Sequence, residues 1–347
     1  MTLLRNAICR KISAHTLEIQ QAPATLLRHN QLTPHDKILW DAAYAEEYYG
    51  LQDFGTWEVI SETEYQKLKP IVGNALPSMA ISTIKKDQDG KQMWCKYRLV
   101  VLGNLDPNNW SKSDCFAPVL SQMELRLLLT IAVSKYCTPK TADVSQAFVQ
   151  SVLPSNEPYI IKPPTGCPLS RPNTYLRLLK TLYGLKRSPR YWYEKANSIL
   201  ISSGLKPCPH APCIFKGVLI PGQLPLYLGL YVDDMIYFSA SVAVEQAFEN
   251  RFASKIKTTF NRPAHHFLGL TIDVVQSHSK TISIHLSQQA FIESLLDEYN
   301  YNKQSVNSTP SPYKSGIPID SIPSATYPSH QQTAITNEYQ HLVGSFQ

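Results

Sequence analysis

No run in this chain of 347 residues approaches the roughly 18 consecutive apolar positions that a membrane-spanning helix needs, which argues against a transmembrane span. The sequence also lacks a GxxxxGK[ST] phosphate loop, a dinucleotide-binding glycine pattern and a Ser/His/Asp constellation. Any use of nucleotides must therefore run through carboxylates. Seven cysteines, an odd number scattered along a chain too long to need staples, fit reduced thiols better than a secreted disulfide framework. Charged residues reach only 17% against 43% apolar, which excludes a disordered, solvating chain and is ample for a core. No internal repeat is visible, and the length suits two or three lobes. The net charge of +6 permits a nucleic-acid partner without requiring one.

That charge is unevenly laid out. Residues 36–64 carry eight acids and one base, a net of −7, which leaves +13 for the remainder. The densest basic stretch is 177–195, at +5, with Arg177, Lys180, Lys186, Arg187, Arg190 and Lys195 against Glu194. Tyr183, Tyr191, Trp192 and Tyr193 are interleaved with these bases. Bases among aromatics suit a groove that holds phosphates and stacks on bases. Taken alone, the window reads more plainly as an amphipathic helix with its aromatics in the core.

Thr33-Pro34 has the form of a helix start, with apolar spacing through Leu39, Trp40, Ala43 and Tyr44 to about Tyr49. Strand-like runs at 81–84 and 93–102 around Asp89-Gly90 predict a hairpin. Helices are expected at 123–133, 183–205, 248–260 and 289–299, and a buried hairpin at 226–238. From 304 to 330 the chain has five Pro and seven Ser in 27 residues, the composition of a linker. Helices and antiparallel hairpins in blocks define an α+β class.

Two adjacent acids, Asp233 and Asp234, interrupt the apolar hairpin. Like charges buried together are costly unless a cation neutralises them. A turn at the hairpin tip would expose them instead, but such turns want Gly or Asn at positive φ and neither is present. Asp143, in Thr141-Ala142-Asp143-Val144, is a third acid in a similar setting. Three carboxylates suit a pair of Mg²⁺ ions about 3.5–4 Å apart, the clamp of a two-metal phosphoryl transfer. Cys208, His210 and Cys213 offer three zinc ligands where a structural site needs four, so buried thiols and a loop histidine read better. The side chains of His265 and His266 would diverge on a strand.

Tyr231-Val232-Asp233-Asp234 resembles the catalytic hairpin of reverse transcriptases, and its surroundings resemble the copia-type (Pseudoviridae) branch of long-terminal-repeat retrotransposons. The likeness runs in order over roughly 33–346. Trp40 through Glu47 and Thr56-Trp57-Glu58-Val59 resemble the opening segment, and Lys96-Tyr97-Arg98-Leu99-Val100 the fingers hairpin. Phe116-Ala117-Pro118-Val119 with Arg126, and then Asp143-Val144 with Ala147-Phe148, match the next blocks. Leu182-Tyr183-Gly184-Leu185-Lys186 with Ser188-Pro189-Arg190 and Trp192 is close to the family's most specific signature. Phe267-Leu268-Gly269-Leu270 resembles the primer grip, and Leu286-Ser287-Gln288 with Leu295-Leu296 the start of the thumb. Thr309-Pro310 resembles the exit from the domain, and Tyr339 with Leu342-Val343-Gly344-Ser345 the start of the connection and RNase H region.

The resemblance implies a right-hand polymerase whose antiparallel palm sheet carries the Tyr-x-Asp-Asp hairpin. Its fingers fall at 33–112 and 151–187, its palm at 113–150 and 188–274, and the start of a thumb at 275–302. Residues 1–32 read as a leader or upstream remnant, 303–335 as a linker, and 336–347 as a truncated connection region. Asp143, Asp233 and Asp234 would hold two Mg²⁺ or Mn²⁺ ions. Lys96 and Arg98 would grip the triphosphate, Phe148 would lie under the sugar and exclude a 2′-hydroxyl, and Tyr183-Gly184 would approach the nucleotide. Tyr231, Val232, Lys186, Arg187, Arg190, Phe267, Leu268 and Gly269 would meet primer and template. The implied partners are an RNA template, a DNA primer and dNTPs, with RNase H and integrase regions of the same polyprotein. The implied setting is a cytoplasmic virus-like particle, or the nucleus.

The chain departs from the family pattern at Arg187, usually glutamine, at Gly103-Asn104-Leu105-Asp106, and at Trp110-Ser111-Lys112-Ser113 in place of Asp-Tyr. These positions belong to the fingers and template side rather than to the metal triad. The rival readings are a decayed or domesticated fragment that binds nucleic acid without polymerising, and a generic two-metal nuclease.

Overall fold

The computed structural model describes residues 31–86, 92–165, 173–261, 263–276 and 282–298, with isolated helical positions at 336, 340 and 344. The chain divides into two units, Met1–Glu293 and Ser294–Gln347. The expected linker at 303–335 and the Asp89-Gly90 turn lie outside the described residues.

Helix α1 (Pro34–Asp53) starts where the sequence indicates: the Thr33 hydroxyl accepts from the Asp36 N–H at 3.2 Å. It runs past Tyr49 to Asp53 and buries Leu39, Trp40, Ala43, Tyr44, Tyr48 and Leu51 on one face. Strand β1 (Trp57–Ser61) and helix α2 (Glu62–Val72) follow, the latter with a Ser61–Glu64 capping box. Strands β2 (Ser78–Lys86) and β3 (Gln92–Val101) then form the expected antiparallel hairpin. The period of two along β3 divides its side chains. Cys95, Tyr97, Leu99 and Val101 are buried with the apolar face of α1, and the Trp40 and Tyr44 rings meet Tyr97 edge-on at 5.2 and 5.5 Å. Trp94, Lys96 and Arg98 fall on the opposite face.

Short helix α3 (Lys112–Cys115) and α4 (Gln122–Ser134) lead into β4 (Lys140–Val144). A 3₁₀ turn (Ala147–Gln150) and strands β5 (Tyr159–Ile161) and β6 (Thr174–Leu178) come next, and β6 pairs with both β1 and β5. Helix α5 (Ser188–Ser202), β7 (Lys206–Cys208), β8 (Ala211–Gly217), β9 (Leu226–Tyr231), β10 (Asp234–Phe238), α6 (Val242–Ala253) and β11 (Thr258–Asn261) complete the central layer. Its six-stranded antiparallel sheet has the order β11-β4-β10-β9-β8-β7. Along β10, Met235 and Tyr237 join the core beneath α5 and α6, while Ile236 and Phe238 join the core beneath α4. A strand covered on both faces reads as continuous apolar sequence, as 235–238 does. Strands β12 (His266–Phe267), β13 (Leu270–Gln276) and β14 (Ile282–Ser287) form a last antiparallel sheet, before α7 (Gln289–Glu298) crosses the division between the units.

Two expected helices are corrected. The segment 183–205 is helical only from Ser188, because its first residues are tied to β3: the Val101 N–H donates to the Tyr183 carbonyl at 2.8 Å. Gly184 there has φ +92°, and an added Cβ would come within 1.9 Å of the Val101 carbonyl oxygen. The segment 248–260 breaks after Ala253, and Thr258–Asn261 pairs along β4 instead. Its β-branched and aromatic residues suit a strand.

The close approach of β3 to Tyr183-Gly184 is thus a steric requirement. Gly184→Ala should lower stability by about 3 kcal/mol or more, from strain at positive φ and backbone overlap. Urea unfolding measures this, and a midpoint equal to wild type would contradict it.

Candidate active site

The register of the central sheet brings the three aspartates to one end. Strand β4 lies between β10 and β11, and Asp143 is the cross-strand partner of Asp234. Asp234 also pairs with Tyr231 across the β9–β10 hairpin, which leaves Val232 and Asp233 as its turn. The hairpin therefore turns at these acids despite lacking Gly or Asn, and Asp233 and Asp234 stay half-buried rather than exposed. Val232 takes φ +51°, a conformation that costs a β-branched residue on the order of 1–3 kcal/mol. Two hydrogen bonds hold the turn. The Val144 N–H donates to the Asp233 carbonyl at 2.9 Å, and the Trp192 indole N–H donates to the Val232 carbonyl at 2.7 Å.

The electrostatics follow from this crowding. Partial burial, then the Asp233 and Asp143 charges, push Asp234 up to about 6. Asp143 is also raised, by desolvation first and then by Asp233, with Lys96 opposing. Carboxylates raised in this way are short of compensating positive charge, and their oxygens are the ligands hard divalent cations prefer. Among the described residues no three His, Cys, Asp or Glu side chains close into a metal cage. The donor set still fits Mg²⁺, which takes one or two carboxylates and completes its shell with water and substrate phosphate.

A cleft of about 700 Å³ opens beside them, lined by Asp143 and Asp233 and by Trp94, Lys96 and Arg98 of β3. Tyr183 lines it too, with the Arg98 guanidinium 5.9 Å from its ring centroid and Phe148 edge-on at 5.0 Å. Burial, then Asp233, pushes the Tyr183 phenol up to about 12. Phe148 and Asp234 stand next to this lining rather than in it.

Among the cleft residues not anticipated as site residues are Glu47 and Gln146. Glu47 of α1 accepts from the Leu99 N–H at 3.1 Å, which locks the strand carrying Lys96 and Arg98, and burial raises its carboxyl. Gln146 sits at φ +50°, and its buried Oε1 finds no hydrogen-bond partner among the described residues. Such an orphan acceptor costs about 1–3 kcal/mol unless a ligand N–H meets it. A left-handed position without glycine leaves no sequence signal, and Glu47 was legible only as part of an acidic run and of the opening segment of the family likeness, with no role attached.

Each base of the stretch 177–195 meets an acceptor within the protein. Arg177 pairs with Glu58, and Lys180 reaches the Phe54 carbonyl. Lys186 reaches the Asp106 carbonyl at 3.2 Å, Arg190 pairs with Glu194, and Lys195 donates to the Gln150 carbonyl at 2.6 Å. Arg187 pairs with Glu157 and lies 4.6 and 4.7 Å from the Trp110 and Tyr191 ring centroids. Lys186, Arg187 and Arg190, expected at primer and template, are thus engaged within the protein. Phe267 is buried in the core, and Leu268-Gly269 form a turn with φ +52° and +72°. Tyr231 packs partly buried against that same core, and Val232 borders a smaller apolar pocket of about 290 Å³.

A family model for reverse transcriptase (RNA-dependent DNA polymerase) matches residues 55–312, and the chain belongs to this family. The Pol polyprotein from transposon RE1 of Arabidopsis thaliana is 28% identical over 269 residues, covering 77% of this chain and 17% of that protein. That from transposon TNT 1-94 of Nicotiana tabacum is 28% identical over 268 residues, covering 77% and 19%. The chain spans less than a fifth of these curated relatives, whose names bear out the copia-type resemblance. A foamy viral protease-reverse transcriptase solved in complex with ds DNA aligns at 13% identity and a TM-score of 0.36, over 75% of this chain and 35% of that one.

Because Arg187 is held internally, Arg187→Gln should cost about 2–4 kcal/mol of stability, as a part-buried pair and two ring contacts are lost. The salt slope of nucleic-acid binding should stay the same. A slope reduced by about 1 would instead assign Arg187 to a phosphate.

Proposed function

We propose that this chain adds deoxynucleotides to a primer 3′-end as a template directs, copying RNA first and DNA afterwards. The observation that carries this reading is that Asp143, Asp233, Lys96 and Arg98 line one and the same cleft. The carboxylates suit divalent cations and the bases suit a triphosphate. The family membership supports the same chemistry.

In this reading Asp143, Asp233 and Asp234 hold two Mg²⁺ or Mn²⁺ ions. When bound, such ions lower the pKa of the primer hydroxyl and offset charge on the leaving pyrophosphate. Lys96 and Arg98 bind and orient the triphosphate, and Glu47 keeps their strand in register. Phe148, braced edge-on by Tyr183, lies under the sugar. The hairpin β2–β3 and the 151–187 segment act as fingers and the six-stranded sheet as palm, with 275–302 beginning a thumb. An RNA template, a DNA primer and dNTPs are the partners, alongside RNase H and integrase regions of one polyprotein.

A primer-extension assay decides the matter. Asp233→Asn with Asp234→Asn should abolish Mg²⁺-dependent extension, by about 10³-fold or more, while leaving primer–template binding measurable. Activity surviving both changes would sink the carboxylate assignment. Binding without extension by the unmodified chain would favour a non-polymerising fragment, and primer shortening would favour a nuclease. Phe148→Val should raise ribonucleotide incorporation relative to deoxynucleotide by roughly tenfold or more, as a steric clash worth over a kcal/mol is removed. An unchanged ratio would remove Phe148 from the sugar site.

A further inference from the structure

We propose that Trp192 is a positioning residue that sets the catalytic turn through its indole N–H; this rests on the polymerase reading above. The turn is under strain, since Val232 holds φ +51° without the freedom of glycine. Left alone, that residue would relax toward the right-handed or extended regions and carry Asp233 and Asp234 with it. One hydrogen bond opposing this comes from β4, inside the same sheet. The other comes from outside the sheet, from the Trp192 Nε1 at 2.7 Å from the Val232 oxygen.

Trp192 is well built for the task. Its side chain is 1% exposed and shares a core with Ala196, Leu230 and Met235. An indole donates only, so a buried ring with this N–H unpaired would be penalised, and the bond selects one carbonyl orientation. The start of α5 is itself anchored. The Tyr191 hydroxyl donates to Glu157 at 2.7 Å, and the Tyr191 carbonyl accepts from the Ser151 hydroxyl at 3.1 Å. A fixed helix thus holds a fixed ring, which holds the peptide plane between Val232 and Asp233. Trp192 does not line the cleft that Lys96 and Arg98 line. Its contribution therefore belongs to the geometry of the carboxylates and not to nucleotide affinity.

Trp192→Phe, which keeps most of the ring but removes the donor, separates these roles in the full 347-residue chain. The expected result is a kcat lower by about 10- to 100-fold, the cost of a misplacement near 1 Å. KM for dNTP and Kd for primer–template should remain within about twofold. In a Val232→Gly background, where positive φ carries no strain, adding Trp192→Phe should cost less than about threefold. Replacing Trp192 with benzothienylalanine, which has sulfur in place of the N–H, gives the same test should the phenylalanine variant not fold. Hydrogen exchange supplies a readout independent of catalysis: amides at 232–234 should exchange at least about tenfold faster in the donor-less variants, while those in the middle of β9 and β10 do not. An unchanged kcat, a loss lying in KM or Kd, equal cost in both backgrounds, or unaltered exchange at 232–234 would each overturn the proposal. If the unmodified chain extends no primer the polymerase reading fails, and the exchange result still decides whether Trp192 holds the turn.

Discussion

Three carboxylates crowded at one end of the central sheet, Asp233 and Asp234 half-buried and Asp143 exposed beside them, repel one another, and much of the central layer can be understood as the framework that tolerates this. Asp143 and Asp234 are cross-strand partners, and Asp233 occupies the adjoining turn. Nothing about the aspartates favours that proximity on their own account, as the raised Asp143 and Asp234 attest. The stabilisation comes from beneath: Met235, Ile236, Tyr237 and Phe238 are buried on both faces of β10 and fix its register. A slip by one residue would turn every one of those side chains to the wrong core. The apolar strand therefore sets where the charges stand.

The same division of labour recurs on β3. Its inward residues join the α1 core and its outward residues form the basic wall of the cleft. Glu47 links the two functions, since its carboxylate holds the Leu99 amide while feeling the charges of Lys96 and Arg98. The acidic run at 36–64 thus contains a group that steadies the basic strand. Net charge by segment could not reveal it, because the relevant quantity is which charges face each other.

That limit explains what the sequence made legible. Adjacent acids in an apolar hairpin are costly wherever they fall, so Asp233 and Asp234 stand out from composition and spacing alone. The helix start at Thr33-Pro34 and the β2–β3 hairpin are likewise written in local chemistry. The turn at Val232 was misjudged, because positive φ without glycine is imposed by Trp192 and Val144, which are remote in sequence. The basic stretch 177–195 is only partly legible for a related reason. Formal charge gives the number of cations but not their partners, and the six bases there reach carboxylates or carbonyls in the protein itself.

The departures from the family pattern take on a different meaning once their contacts are known. Taken singly, Arg187, Asp106 and Trp110 read as losses on the template side. In the folded chain they share one network. Arg187 lies against the rings of Trp110 and Tyr191 and pairs with Glu157, while the Trp110 indole donates to Asp106 at 3.0 Å. The Tyr159 hydroxyl reaches the same Asp106 carboxylate at 3.0 Å. A guanidinium introduced here without Trp110 and Glu157 would be an uncompensated, part-buried charge, and Trp110 without Asp106 would leave an indole donor unmet. Each residue makes the others tolerable, so the set is better understood as one coupled replacement than as three separate defects. Because Tyr191 of that network directly precedes Trp192, the replacement also bears on the helix that holds the catalytic turn.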